Sequence, residues 1–105
     1  MKRSKRRYLL LQIDLDGSLS QREFLDAVWG SITRLYGESG ASLTNLSLIN
    51  YDEKKKSALL RVSLNALQPV RASLALITRI SDRAAAVHVI KISGTIKSLE
   101  EKTAQ

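Results

Sequence analysis

The side chains best placed to do chemistry in this chain are cations, and the chemistry they suit is neutralising phosphate. Arg3, Lys5, Arg6 and Arg7 crowd the start of the sequence, Lys54, Lys55 and Lys56 follow one another, and Arg71, Arg79 and Arg83 lead on to Lys91. A Lys or Arg facing a phosphate releases condensed counterions, so dispersed sets of this kind add affinity for a polyanion without reading sequence. Groups for bond-making chemistry are scarce. His88 is the sole histidine and, with no cysteine or second histidine to pair with, reads as a packed strand residue. Asp14 and Asp16 flank Leu15, and Asp16 next to Gly17 reads as a turn rather than a metal site. The absence of cysteine excludes disulfides, thiolate zinc sites and a cysteine nucleophile, and makes an intracellular, cytoplasmic address the default. Gly37 and Gly40 lack the Lys-Ser/Thr ending of a phosphate loop, and the Asp16–Leu19 loop lacks the arginine that small phosphatases need there. No catalytic residue, metal or cofactor is expected.

The cations are segregated. Residues 1–7 carry five basic and no acidic groups; residues 8–53 carry Arg22 and Arg34 against seven acids; residues 54–98 carry nine basic groups and only Asp82. The net charge of +7 therefore divides into a basic arm, an acidic first half and a basic second half. Such a split suits one face for a polyanion and another for a protein. Nucleic acid fits better than membrane, because no segment is both basic and strongly amphipathic with bulky aromatics, and no apolar run is long enough to span a bilayer. The basic start followed by Tyr8–Leu11 is cut short by Gln12 and Asp14, too soon for a secretory signal.

These groups need elements to position them. With 105 residues the chain supports one domain and one modest core. Residues 1–7 read as a disordered arm, and residues 8–105 as the folded domain. From Tyr8 to Leu15, apolar Leu9, Leu11, Ile13 and Leu15 alternate with Tyr8, Leu10, Gln12 and Asp14, the period of a strand. Ser20 and Glu23 form a capping box for a helix carrying Phe24, Leu25, Val28, Ile32 and Leu35, stopped at Gly37. Leu43–Tyr51 and Ser57–Leu64 read as two strands joined by a hairpin whose tip is Asp52–Lys56. Pro69 in a first turn opens a helix to Ser81, with Val70, Leu74 and Ile77 as its apolar stripe. At about 100° per residue, Arg71, Arg79 and Arg83 fall together on the opposite flank. Ala86–Ser93 makes a fourth strand, and Ile96–Thr103 a short helix capped by Thr95.

The order strand, helix, strand, strand, helix, strand is a split β-α-β pattern. Its usual solution is an α+β ferredoxin-like, RRM-like βαββαβ sandwich with a four-stranded antiparallel sheet, here with an extra C-terminal helix. An RNA-recognition motif stacks bases on aromatics of its central strands, but only Tyr8 is aromatic there. The open sheet face instead offers Leu10, Leu59, Ile90 or Val89, which suit protein. The cations of the arm, the hairpin tip, the second helix and Lys91 are therefore the expected RNA contacts.

Lys5–Tyr8 entering a leucine strand, Ala27–Gly37, Val70–Ile80 and Val89–Thr95, taken in order, resemble the archaeal ribonuclease P protein component 2 family along nearly the whole chain. The resemblance implies a non-catalytic protein subunit of ribonuclease P, whose RNA carries the active site that removes the 5′ leader of precursor tRNA. It implies as partners the ribonuclease P RNA, ribonuclease P protein component 3, and a second copy of the chain, giving a heterotetramer. Carried over by position, it singles out Arg7, Arg71, Arg79 and Lys91. The competing reading is a small-molecule-binding regulatory domain of ferredoxin-like fold, which leaves the arm and the charge segregation unexplained.

Overall fold

The structure, a computed structural model, describes residues 5–95. Strand β1 (Arg6–Leu15) leads into helix α1 (Gln21–Ser42), then β2 (Ser47–Asp52) and β3 (Ser57–Ser63) form a hairpin. A single 3-10 turn (Leu64–Ala66) passes into helix α2 (Leu67–Ala75), followed by a two-residue strand β4 (Arg79–Ile80) and a long strand β5 (Arg83–Ser93). The antiparallel sheet runs β2-β3-β1-β5-β4. Among the described residues it therefore has five strands, not the four expected, because the segment expected to complete the second helix turns back as β4 instead.

The alternation of β1 decides which face is covered. Leu9, Leu11, Ile13 and Leu15 are buried, and with Leu60 and Val62 of β3 they meet Phe24, Val28 and Ile32 of α1 and Val70 and Leu74 of α2. Where the helices touch, small side chains allow close approach, and the buried Ser31 hydroxyl donates to the Ser73 carbonyl at 2.7 Å. Tyr51 stacks on Phe24 with ring centroids 5.6 Å apart and donates its hydroxyl to the Leu19 carbonyl, which seats the start of α1 on β2. The opposite sheet face carries Tyr8, Leu10, Gln12 and Asp14 with their ladder partners Arg61, Leu59 and Ser57 on β3 and Ser93, Lys91, His88 and Ala86 on β5. Of the alternatives Ile90 and Val89, Val89 pairs with Leu11 and packs on the core, whereas Ile90 is exposed.

Several boundaries differ from the sequence reading. β1 begins at Arg6 rather than Tyr8, β2 at Ser47 rather than Leu43, and β3 gives way to the 3-10 turn at Leu64. The capping box at Ser20 and Glu23 is present, with both hydrogen bonds at 3.1 Å. Gly37 does not end α1 but kinks it: its backbone (φ 73, ψ 173) leaves the helical region and helix resumes to Ser42. The helix expected to reach Ser81 ends at Ala75, and the last strand starts at Arg83, three residues before Ala86. Arg3 and the expected helix Ile96–Thr103 lie outside the described residues.

The end of α2 has a local cause. After Leu76, the Ile77 N–H bonds the Leu74 carbonyl at 3.2 Å, and buried Ile77 and Ile80 carry the chain across the core instead of continuing the helix. Ser81 (φ 52) and Asp82 (φ 63) both take left-handed conformations, the signature of a two-residue type I′ hairpin turn. The Ser81 hydroxyl donates to the Glu23 carboxylate at 2.6 Å and holds this turn against the start of α1.

Candidate nucleic-acid interface

The cations singled out in the sequence divide into those that point into the molecule and those that leave it. Lys56, in a left-handed conformation (φ 52) at the end of the β2–β3 turn, sends its ammonium to the carbonyls of Leu15 and Gly17. Arg83 reaches the same loop from the other side and donates to the carbonyls of Asp16 and Ser18 at 3.3 and 2.7 Å. Four successive carbonyls at the β1–α1 junction are thus held by one lysine and one arginine. The second arm of Arg83 pairs with Glu23 at 3.2 Å.

Glu23 is the hub of this junction. It accepts from the Ser81 hydroxyl, from the Ser20 backbone N–H and from Arg83. The hydrogen bonds from Ser81 and Ser20, reinforced by the Arg83 charge, hold its carboxyl down at about 2 instead of its ordinary 4.5. Arg83 is therefore paired within the molecule, with Glu23 sixty residues away in sequence.

Most of the other described cations are exposed. Lys54 and Lys55 are exposed at the hairpin tip, whose turn is fixed by the Lys55 N–H donating to Asp52 Oδ1 at 3.1 Å. Arg71 is exposed on α2, and Arg79 is exposed on β4, donating to the Asp82 carbonyl at 2.7 Å. These two no longer share a helix flank with Arg83. Lys91 is half-buried on the open sheet face opposite Leu10, beside the irregularity that leaves Ile90 60% exposed. Lys5 is exposed, while Arg6 and Arg7, as consecutive strand residues, project to opposite faces. Arg7 donates to the Arg6 carbonyl at 2.9 Å and lies beside Gly94.

One cation escaped the sequence reading. Arg61 sits on β3 directly across from Tyr8 and on the same face as Arg6. Ala58, Leu60 and Val62 are buried, and the two-residue period of a strand puts Arg61 on the opposite face, a signal the sequence carries. Among the described residues no three His, Asp or Glu side chains group as a metal site, and no helix is long and apolar enough to cross a membrane.

The chain matches the model of the Rpp14/Pop5 family over residues 7–104. It belongs to that family. Among its relatives are proteins named ribonuclease P protein component 2. The one from Pyrococcus furiosus is 31% identical over 95% of this chain and 83% of its own length. The one from Methanosarcina barkeri is also 31% identical, over 98% of this chain and 75% of its own, and that from Methanobrevibacter smithii is 32% identical over 94% and 88%. The fold matches a chain in the cryo-EM structure of yeast ribonuclease MRP with a TM-score of 0.75 at 16% identity, covering all of this chain and 95% of that one.

Proposed function

We propose that this chain is a non-catalytic protein subunit of ribonuclease P that binds and shapes the catalytic RNA for removal of the 5′ leader of precursor tRNA. Family membership along nearly the whole chain, with relatives named ribonuclease P protein component 2, is the observation that carries this reading. The geometry supports it: Lys54, Lys55, Arg71 and Arg79 stand exposed on several elements, as phosphate contacts to a structured RNA require. Lys56 and Arg83 serve by fixing the loop between β1 and α1. In this reading Lys5, Arg6, Arg7 and Lys91 contribute from the head of β1 and the open sheet face, and Arg3 extends the same set. Its four-strand core order β2-β3-β1-β5 with two helices on one face is a ferredoxin-like arrangement to which β4 is appended. The partners are the ribonuclease P RNA, ribonuclease P protein component 3 and a second copy of the chain.

The test is a titration of ribonuclease P RNA against the wild type and Arg71→Ala/Arg79→Ala at several salt concentrations. The double variant should bind more weakly, with a log–log salt slope shallower by about 1 to 2, while its far-UV circular dichroism is unchanged. Equal affinity and slope would remove the α2–β4 surface from the interface.

A further inference from the structure

We infer that the end of the open sheet face nearest the start of β1 is a second RNA contact, a phosphate cradle formed by Arg6 and Arg61 with Tyr8 as a stacking surface beside it. The inference rests on the proposed RNA-binding role and names a site within it.

The sheet register builds the cradle. Arg61 is the ladder partner of Tyr8, Arg6 is paired with Ser63, and Ser47 of β2 lies across from Arg61 on its other side. Arg6 and Arg61 are thus diagonal neighbours on one face, within about 7–8 Å along the ladder. Like charges so placed repel. Neither pairs with a carboxylate among the described residues; Arg61 has only a long contact of 3.5 Å to the Ser47 hydroxyl. An anion between them is attracted by both guanidinium groups, each of which presents a planar fork suited to phosphate oxygens.

The space between them has the right lining. A cavity of about 350 Å³ is bounded by Arg6, Asn45, Leu46, Ser47, Arg61 and Ser63, so hydroxyl and amide groups stand next to the two cations. Its wall is fixed from below by buried Thr44. The Thr44 hydroxyl donates to the Ala41 carbonyl at 2.8 Å and accepts from the Leu46 N–H at 3.3 Å, and the Thr44 carbonyl accepts from the Ser63 N–H at 3.0 Å. This bracing sets Asn45 in a left-handed conformation (φ 51) at the rim.

Two features favour a nucleic-acid strand over a lone phosphate or a protein. Tyr8 offers an aromatic face adjoining a cationic groove, the combination that binds single strands by stacking and backbone attraction together. The open face is also polarised along the strands. On this face Arg6 and Arg61 lie toward the end where β1 starts and Lys91 near the middle, whereas Asp14 and Asp52, the latter paired with Ser57 beside the exposed Lys54 and Lys55 of the hairpin tip, lie toward the other end. The Arg6–Arg61 end thus attracts a phosphate backbone with no carboxylate among its ladder neighbours Ser63, Tyr8, Ser47 and Ser93.

The test uses the full chain, a labelled single-stranded uridine oligoribonucleotide and ribonuclease P RNA, each titrated at several salt concentrations. Arg61→Gln and Arg6→Gln should each lower affinity for both probes and reduce the salt slope by about 0.7 to 1. Tyr8→Leu should weaken oligonucleotide binding about tenfold with the slope unchanged. Backbone NMR of the wild type, which needs no variant to fold, should show oligonucleotide-induced shifts at Arg6–Tyr8, Asn45–Ser47 and Arg61–Ser63. A wild type that binds RNA while both Arg→Gln variants bind equally well, or shifts confined to α2 and the β2–β3 tip, would overturn the cradle and leave the proposed function standing. Loss of self-association or of component 3 binding with RNA affinity intact would show the face to be a protein contact and overturn it as well. A wild type that binds neither RNA overturns both.

Discussion

Glu23 shows how one side chain joins three elements: it closes the cap of α1, holds the Ser81 turn and pairs with Arg83. Because its folded carboxyl sits at about 2 rather than 4.5, it contributes stability in full above the ordinary value. That contribution fades as pH falls from about 4.5 toward 2, where protonation breaks the cluster. Thermal unfolding followed across this window should show a falling midpoint for the wild type and a flatter profile for Glu23→Gln, which starts lower. Arg83 and Arg71 should behave oppositely. Arg83→Gln frees the carbonyls of Asp16 and Ser18 and should cost about 1–3 kcal/mol in denaturant unfolding. Arg71→Ala, on an exposed helix face, should change stability by less than about 0.5 kcal/mol and show itself in RNA titration instead. The sequence gives both the same basic appearance. What separates them is the tertiary meeting of Arg83 and Lys56 with the Leu15–Ser18 carbonyls, from positions about 40 and 65 residues away.

At the scale of elements, the sequence was legible where a periodic pattern and a local cap agreed. The alternation of β1 and the Ser20–Glu23 box place β1 and the start of α1 correctly because each rests on neighbouring residues. The second helix reads too long from sequence because Val70, Leu74, Ile77 and Ile80 fit a helical stripe. Burial of Ile77 and Ile80 satisfies the same residues through a hairpin. Ser81-Asp82 is also a poor match to the Asn-Gly or Asp-Gly turns that announce such a hairpin. This gives a prediction. Asp82→Gly relieves a left-handed non-glycine residue and should stabilise the protein by up to about 1 kcal/mol, seen as a raised melting temperature; the Arg79 bond survives because it goes to the backbone carbonyl. Gly37→Ala should do the reverse. At φ 73 and ψ 173 its backbone lies where side chains are strained by about 1–3 kcal/mol, so the kink in α1 should weaken and stability should drop.

For the molecule as a whole, the layered plan followed from element order, because a split β-α-β pattern has few ways to bury one face of a sheet under two helices. The charge segregation of the sequence did not survive as two simple faces. The strands fold back on one another, so cations distant in sequence gather at the start of β1 while others are taken up at its end. That rearrangement brings Arg61 beside Tyr8, with Arg6 on the same face. The most direct test of the central claim is reconstitution of precursor-tRNA cleavage from ribonuclease P RNA and its protein subunits, with and without this chain. Cleavage should need the RNA, fall sharply when this chain is omitted, recover on adding it back, and be absent with the chain alone. Cleavage by the chain without RNA, or activity indifferent to its omission, would contradict the account.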